Sequence, residues 1–385
     1  MSTRTRLIVV FASVPVITFT LLGGFLGRVA SGEDTYRHLR VFEDVVSLIS
    51  TNYVEPVDLD VVMEGALRGL AEVLDADSSY LLREDVDRIE AGQPLPEGRV
   101  GLEVTRRYYI QVVAAHDNSP AEEVGILPGD FIRAIDDEPT RMMSAVKGAR
   151  LLHGEPGSTV TLSLVRGSTA EPYDVDLVRE RLAQPGVSGR LLTGNVGYVR
   201  VSSFKPGTAD ELVATITRLT ETGATSLAID IRNNASGSYE EGVAAARRFV
   251  DSGTLVLREE HGDRRTPIDA TGIDTIDTSA VVLINAGTAG PAELFAEALA
   301  GSKRAETIGQ RTAGRASLQK LVRLPNGTGL WLSWARYLKA SGDPLDRNGV
   351  EPDIAVDFHM VELGEPLPSD DTILELALDH LATSL

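Results

Sequence analysis

The chain begins with an apolar run: from Leu7 to Leu26 no charged residue interrupts it. As a helix such a run spans about 30 Å, the thickness of a hydrocarbon core. Beyond it the apolar positions take up a helical period. Val41, Val45, Val46, Leu48 and Ile49 fall on one stripe, and Val61, Val62, Gly65, Ala66, Gly69, Leu70, Val73 and Leu74 recur at spacings of three and four. Residues 35–90 therefore read as helical, with turns at Asn52-Tyr53-Val54 and from Asp75 to Ser79. A loop rich in glycine and proline, Gly92 to Gly98, closes this region. The period then shortens to that of strands: Val100–Thr105, Ile110–Ala114, Phe131–Ile135 and Val160–Val165. A short helix starts at Ser119-Pro120-Ala121, a turn falls at Leu127 to Asp130, and a longer helix covers Met143–Leu152. After a second boundary, Leu182 to Gly186, strands and helices alternate. Val196–Val201, Ser226–Ile231 and Ala280–Asn285 are strand-like; Ala209–Thr222, Glu240–Val250 and Pro291–Ala300 are helix-like. Such alternation predicts α/β layering around a partly parallel sheet.

The charges flanking the first run set its orientation. Arg4 and Arg6 precede it, and Glu33 and Asp34 follow. The positive-inside rule then puts the rest of the chain outside the cytoplasm. A cleaved signal peptide ending near Val29-Ala30-Ser31-Gly32 is the rival reading. The length of the run and the intervening Arg28 favour a retained anchor. The expectation is a single-pass protein of the cytoplasmic (inner) membrane, held through residues 7–26, its soluble part facing the periplasm or extracytoplasmic space. The net charge of −19 over 385 residues disfavours nucleic acid as a partner, because phosphate binding needs clustered Lys and Arg. There is no cysteine, so no disulfide framework or thiolate metal site. The six histidines are scattered without a His-Glu-x-x-His pair. Neither a metal nor a cofactor is expected.

Several ordered motifs carry a resemblance. Arg99-Val100-Gly101-Leu102-Glu103 looks like a carboxylate-binding loop, and Ser119-Pro120-Ala121, Gly125-Ile126, Pro128-Gly129-Asp130 and Ile135-Asp136 follow it in order. Asn52-Tyr53-Val54 and Asp77-Ser78-Ser79-Tyr80 lie upstream; Asp230-Ile231-Arg232-Asn233-Asn234 and Gly349-Val350-Glu351-Pro352-Asp353 lie downstream. Taken singly, each is ordinary: Pro-Gly-Asp is a turn, and Asp230 with Arg232 reads as an ion pair at a strand end. Together they resemble the carboxyl-terminal processing (tail-specific) serine peptidases with an inserted PDZ domain, over nearly the whole chain after the anchor. The resemblance implies a multidomain α+β chain: a membrane anchor over 1–30, an N-terminal helical region over 35–92 and a PDZ-like β/α domain over 97–181. An α/β peptidase core of the ClpP/crotonase type would occupy 186–360, and a C-terminal helical segment 361–385.

That family resembles Ser–Lys enzymes, in which a serine attacks the peptide carbonyl, a neutral lysine takes its proton and backbone N–H groups hold the oxyanion. The stretch similar to its nucleophile motif reads Gly287-Thr288-Ala289-Gly290-Pro291-Ala292-Glu293, with Gly290 at the serine position. The stretch similar to its lysine motif reads Thr312-Ala313-Gly314-Arg315-Ala316-Ser317-Leu318-Gln319, with Arg315 at the lysine position. Gly290 cannot form an acyl-enzyme, and Arg315 stays protonated. Pro291 has no N–H to offer an oxyanion, although proline suits the first turn of a helix. The oxyanion region implied by the resemblance comprises Pro291 and Gly237, and Glu293 matches the acidic position. Thr288 and Ser317 remain as unorthodox nucleophiles. If the second motif is a strand, Arg315 and Lys320 point to opposite faces; Lys147, Lys205, Lys303 and Lys339 read as surface residues.

Two functions stay open, beside a structural reading in which the core is a spacer that displays the PDZ domain. One is a pseudopeptidase acting as adaptor, scaffold or regulator, binding peptide or protein C-termini at Val100, Gly101, Leu102, Glu103 and Val104, with Arg99 or Arg106 adding charge. Its further partners would be an active homologue or its own copies. The other is an active endopeptidase with unorthodox residues. Whether Arg315 pairs with Glu293 or stays solvated is also open.

Overall fold

The computed structural model describes residues 37–167, 171–182, 186–357, 361–365 and 370–383. The apolar run at 7–26 lies outside them; among the described residues no helix is long and apolar enough to cross a membrane. The chain divides into two units, one ending at Leu70 and the other starting at Ala71. The first contains helix α1 (37–52) and most of α2 (Leu59–Glu72).

The second unit opens with a strand inside the stretch that reads as helical: β1 (Ser79–Leu81), followed by α3 (Arg83–Glu90). Three residues are too few to show a period, and β1 exists because it pairs with a strand some 250 positions away, Tyr80 lying opposite Leu330.

The PDZ-like domain comes next: β2 (Gly98–Arg99), β3 (Leu102–Arg107), β4 (Tyr109–Ala115), α4 (Pro120–Glu123), β5 (Phe131–Ile135), β6 (Glu138–Pro139), α5 (Ala145–Leu151), β7 (His153–Gly154), β8 (Thr159–Val165) and β9 (Tyr173–Val178). The main sheet has the order β3-β4-β5-β8-β9, so β3 is an edge strand. Alternating residues of these strands, among them Ile110, Val112, Ile132, Val160, Leu162 and Leu164, form its core. The strand expected from Val100 starts two residues later. Gly101 has φ +80° and lies so close to Ser119 that a Cβ on it would sit 2.2 Å from the serine Cβ. That left-handed turn keeps Val100 and Gly101 out of the ladder.

The core follows: β10 (Val187–Leu191), β11 (Val196–Val201), α6 (Thr208–Glu221), β12 (Ser226–Asp230), α7 (Tyr239–Arg247), β13 (Thr254–Glu260), β14 (Arg264–Asp269), β15 (Ser279–Ile284), α8 (Pro291–Gly301), β16 (Glu306–Gly309), β17 (Ser317–Arg323), β18 (Gly329–Lys339), β19 (Ile354–Ala355) and α9 (Thr372–Thr383). One sheet has the order β10-β11-β12-β15-β16-β19, parallel from β11 onward. Its central strands β12 and β15 are buried on both faces, as covering helices require. Leu227, Ile229, Val282 and Ile284 face α6, α7 and α8. Ala228, Val281 and Leu283 face α9 through Ile373, Ala377 and Leu381. Helix α8 is buried from Pro291 to Leu299, which anchors its N-terminus firmly. A second, antiparallel sheet has the order β1-β18-β13-β14, with β17 also on β18. Buried β1 apart, these strands are partly exposed, and the hairpins β13–β14 and β17–β18 join through pairings distant in sequence, β1 with β18 and β13 with β18, which weakens their sequence pattern.

Candidate functional site

The turn between β15 and α8 is built by side chains that bond to the backbone. Asn285 Oδ1 accepts the N–H of Asn233 at 2.9 Å and that of Gly287 at 3.0 Å. Thr288 is fully buried and donates its hydroxyl to the Ile231 carbonyl at 3.0 Å. The turn ends at Gly290, the N-cap of α8, with φ 61° and ψ −120°. Side chains rarely adopt this backbone, yet there is room for one: a Cβ on Gly290 would meet nothing nearer than the Tyr239 hydroxyl at 3.7 Å and the Arg315 carbonyl at 3.8 Å. Pro291 is the first helical residue, where a missing N–H is harmless.

Glu293, fully buried, ties this turn to the second motif. Its carboxylate accepts the N–H of Gly290 at 3.0 Å, of Gly314 at 2.6 Å and of Arg315 at 2.7 Å, and the Thr312 hydroxyl at 2.5 Å. The bond to Gly290 is the reach-back of a glutamate in the first helical turn. Burial pushes its pKa above the ordinary range, against the pull of these four donors. The late motif completes the loop: the Val350 N–H donates to the Thr312 hydroxyl at 2.8 Å. Gly349, at φ +70°, packs against the Thr312 carbonyl.

Arg315 bonds Glu293 through its backbone only. Its side chain turns to Asp77, with Nε at 3.1 Å and Nη2 at 2.5 Å from Oδ1. Burial works against the guanidinium charge, but the Asp77 carboxylate outweighs it and holds the arginine pKa above its usual value. An Arg315–Glu293 ion pair is thus replaced by an Arg315–Asp77 pair. The face argument for Lys320 also falls, because β17 begins at Ser317, beyond Arg315. Lys320 lies on the strand, 5.6 Å from the Trp334 ring centre. Ser317 is buried, 3.4 Å from Asp77 Oδ2, and accepts a bond from Gln319 at 2.8 Å.

Gly237, at φ +118°, is held where a Cβ would fall 2.2 Å from the Phe204 carbonyl carbon. The bonds from Phe204 N–H to Ser236 and from Ser238 N–H to Phe204 flank it. Its own N–H has no acceptor among the described residues. Two residues on, Tyr239 shares its hydroxyl between the carbonyls of Arg315, at 3.1 Å, and Ser317, at 3.0 Å.

Strand β3 of the PDZ-like domain borders the same place. The carbonyl of Val100 accepts the Ala121 N–H at 3.1 Å, and that of Gly101 accepts the His116 N–H at 2.8 Å. The Gly101 N–H makes no hydrogen bond among the described residues. Leu102 and Val104 turn inward, while Glu103 lies 3.3 Å from the ring of buried His116. Arg99 and Arg106 are both engaged, the first with the Leu182 carbonyl and the second with the Arg141 carbonyl and Glu72. They do not supply free charge to the loop. A cavity of about 270 Å³ lies between the two domains, lined by Asp77, Thr105, Gly129, Thr312, Gly314 and Arg315 among others.

Asp230 and Arg232 form the ion pair expected at a strand end, 2.6 Å apart, within a larger network. Asp230 also takes the Tyr198 hydroxyl at 2.8 Å and faces Arg200 at 3.4 Å; Arg232 grips Asp371. No motif of the sequence singles out Asp77, Thr105 or Tyr239 as a site residue. Asp77 alone carried a signal, since it opens the Asp-Ser-Ser-Tyr motif.

Comparison with known proteins follows this geometry. Residues 195–356 match the model of peptidase family S41, and residues 111–166 match that of the PDZ domain. A carboxy-terminal-processing protease of Bartonella bacilliformis is 29% identical over 345 residues, covering 87% of this chain and 77% of its own length. A carboxyl-terminal-processing protease of Synechocystis sp. is 28% identical, covering 82% of this chain and 76% of its own. Among solved structures, the photosystem II D1 C-terminal processing protease superposes with a TM-score of 0.70 at 30% identity, covering 89% of this chain and 90% of that one.

Proposed function

Since the chain belongs to peptidase family S41 and carries the PDZ domain of its carboxyl-terminal processing relatives, we propose that it is a membrane-anchored, extracytoplasmic pseudopeptidase that binds peptide or protein C-termini. The observation that carries this reading is the state of the two catalytic positions. Gly290 has the backbone of a nucleophile turn and nothing to attack with, and Arg315 is locked to Asp77 as a permanent cation. An arginine so placed cannot take a proton from a nucleophile. Thr288 is a poor substitute, being fully buried with its hydroxyl committed to Ile231. The bonds of the Ser317 hydroxyl go to the Asp77 carboxylate and the Gln319 amide, and neither a lysine nor a histidine bonds it among the described residues. The charge pattern around residues 7–26 supports the anchor and the extracytoplasmic location.

Binding would use the edge of β3. An extended ligand adds to that edge as a further strand, its carboxylate resting on the backbone N–H groups at Gly101 and Leu102. The unpaired Gly101 N–H supports this, because an unpaired buried donor is costly unless a ligand or water satisfies it. The protein would then act as adaptor, scaffold or regulator, with an active homologue or its own copies as further partners.

The test is calorimetric titration of the purified protein with unstructured peptides, alongside a cleavage assay on an unfolded substrate. Binding of a free-carboxylate peptide, weakened about tenfold or more by amidation of its C-terminus, is expected with no cleavage; charge-assisted bonds of this kind contribute about 1.5–3 kcal/mol. Absence of binding, or cleavage by the wild-type chain, would sink the reading.

A further inference from the structure

The geometry points to Arg107, Tyr108 and Arg141 as an extension of the peptide groove that selects C-terminal tails carrying acidic residues about four to six positions before their end. This deepens the peptide-binding reading and rests on it. The groove has a direction. Strand β3 ends its sheet and pairs with β4 on one side only. Among the described residues, no backbone group of residues 102–107 is hydrogen-bonded on its other side. Helix α5 packs beside β3. The C-terminus of α5 leads into β7, which pairs with β2 just ahead of the Gly101 turn. The N-terminus of α5 follows the single helical turn Thr140–Met142, and Arg106, near the end of β3, donates to the Arg141 carbonyl at 2.7 Å. A ligand's carboxylate at Gly101 therefore lies at one end of the groove, and the β3–β4 turn lies at the other.

That far end is basic and aromatic, in a chain whose net charge is −19. Tyr108 makes the β3–β4 turn at φ +82°, a backbone that bulky side chains rarely adopt, and is 58% exposed. Two contacts hold its ring: the Arg141 guanidinium lies 4.2 Å from the ring centre, and the Tyr109 ring stands edge-on at 4.9 Å. The stack positions an exposed guanidinium at the mouth of the groove, and a stacked arginine keeps its N–H donors for a carboxylate. Arg107, exposed, alternates with Arg106 and adds a second charge from the opposite face of the strand's end. Neither Arg107 nor Arg141 is ion-paired among the described residues, whereas the acidic neighbours are engaged, Glu72 with Arg106 and Glu138 with Lys147. A ligand strand antiparallel to β3, its last residue beside Leu102, comes level with Arg106 to Tyr108 about four to six residues upstream, since facing residues of adjacent strands advance in step. Carboxylates there meet two unpaired cations, and lysines there are repelled.

Titration of the whole chain with three peptides tests this. All end in the same three apolar residues and a free carboxylate: a tripeptide, an octapeptide with glutamates four to six positions before its last residue, and an octapeptide with lysines there. The glutamate octapeptide should bind wild type about fivefold or more tightly than the lysine octapeptide at low salt, and the difference should shrink as ionic strength rises. Arg107→Gln and Arg141→Gln should each reduce the difference and together abolish it, while the tripeptide binds every variant alike. Tyr108→Gly accepts the positive φ but removes the ring that positions Arg141; it should keep the wild-type urea midpoint and lose part of the preference. Equal affinities of the two octapeptides for wild type, or a preference that survives in the double variant, overturn the proposal, and a tripeptide that still binds then leaves the peptide-binding reading standing. Binding of none of the three peptides overturns both.

Discussion

Glu293 is a carboxylate whose four partners are all donors: three backbone N–H groups and one hydroxyl. These bonds tie the start of α8 to the loop before β17, a structural task independent of catalysis. Glu293→Ala would strand all four donors inside the protein and is expected to destabilise it by about 3 kcal/mol or more, read as a fall in the urea midpoint. Glu293→Gln should do nearly as much harm, because its amide nitrogen would face N–H groups. Asp230 provides a pH test. Burial raises its pKa, but Arg200 and Arg232 outweigh burial, and the net direction is downward. A lowered carboxylate pKa contributes stability that is complete above the unfolded value of about 4 and is lost as pH falls through the folded value. Stability should therefore drop below about pH 4, and Asp230→Asn, weaker at neutral pH, should show a shallower acid slope.

At the scale of elements, Gly101 decides where β3 begins. A Cβ at φ +80° and 2.2 Å from Ser119 forces the turn to open, at a strain of about 1–3 kcal/mol before any repacking. Gly101→Ala is expected to lower the stability of the PDZ-like domain and abolish binding of a free-carboxylate peptide. Ser119→Gly alongside it should restore part of the stability, and a Gly101→Ala chain that binds normally would place the ligand elsewhere. The elements that were legible in the sequence are those whose pattern is local. Strand β11 was read with its observed limits, and α6, β12, β15 and α8 within a few residues, because each is long enough to show a period and is bounded by turn residues. Strands β1, β13, β14 and β16–β19 carried no such signal. Most of them are short or half-exposed, and some pairings are distant: Ser79 faces Trp331, and Glu260 faces Ala335. The stretches holding Gly290, Pro291 and Arg315 stand out in the sequence because they sit in ordered motifs. The Asp77–Arg315 contact does not, since its partners stand 238 positions apart and only the closed fold brings them together.

At the scale of the whole molecule, the fold is that of a peptidase family, and the proposed loss of its chemistry makes restoration a strict test. Gly290, the proposed nucleophile position, lies on the β15–α8 turn, Arg315, the proposed base position, on the loop before β17, and Asp77 on the segment leading to β1. Gly290→Ser places a hydroxyl where there is space for it, on a backbone that side chains rarely adopt and that costs about 1–3 kcal/mol to hold. Pro291→Ala returns an N–H, and one oxyanion donor is typically worth about 10²–10³ in rate. Arg315→Lys supplies an amine but leaves Asp77 beside it, and a carboxylate at that range keeps a lysine protonated. The triple variant should therefore cleave an unfolded protein substrate only weakly at neutral pH, with a rate that climbs into the alkaline range. Adding Asp77→Asn removes the charge that holds the lysine's proton, so the quadruple variant should be the more active at pH 7, its pH profile displaced toward neutrality. Wild type, and Gly290→Ser alone, should be silent, because a serine beside a permanent cation has no base. If the quadruple variant folds with a native urea transition and stays silent from pH 6 to 10, the loss of function lies beyond these four positions, in the way substrate reaches the cavity between the two domains.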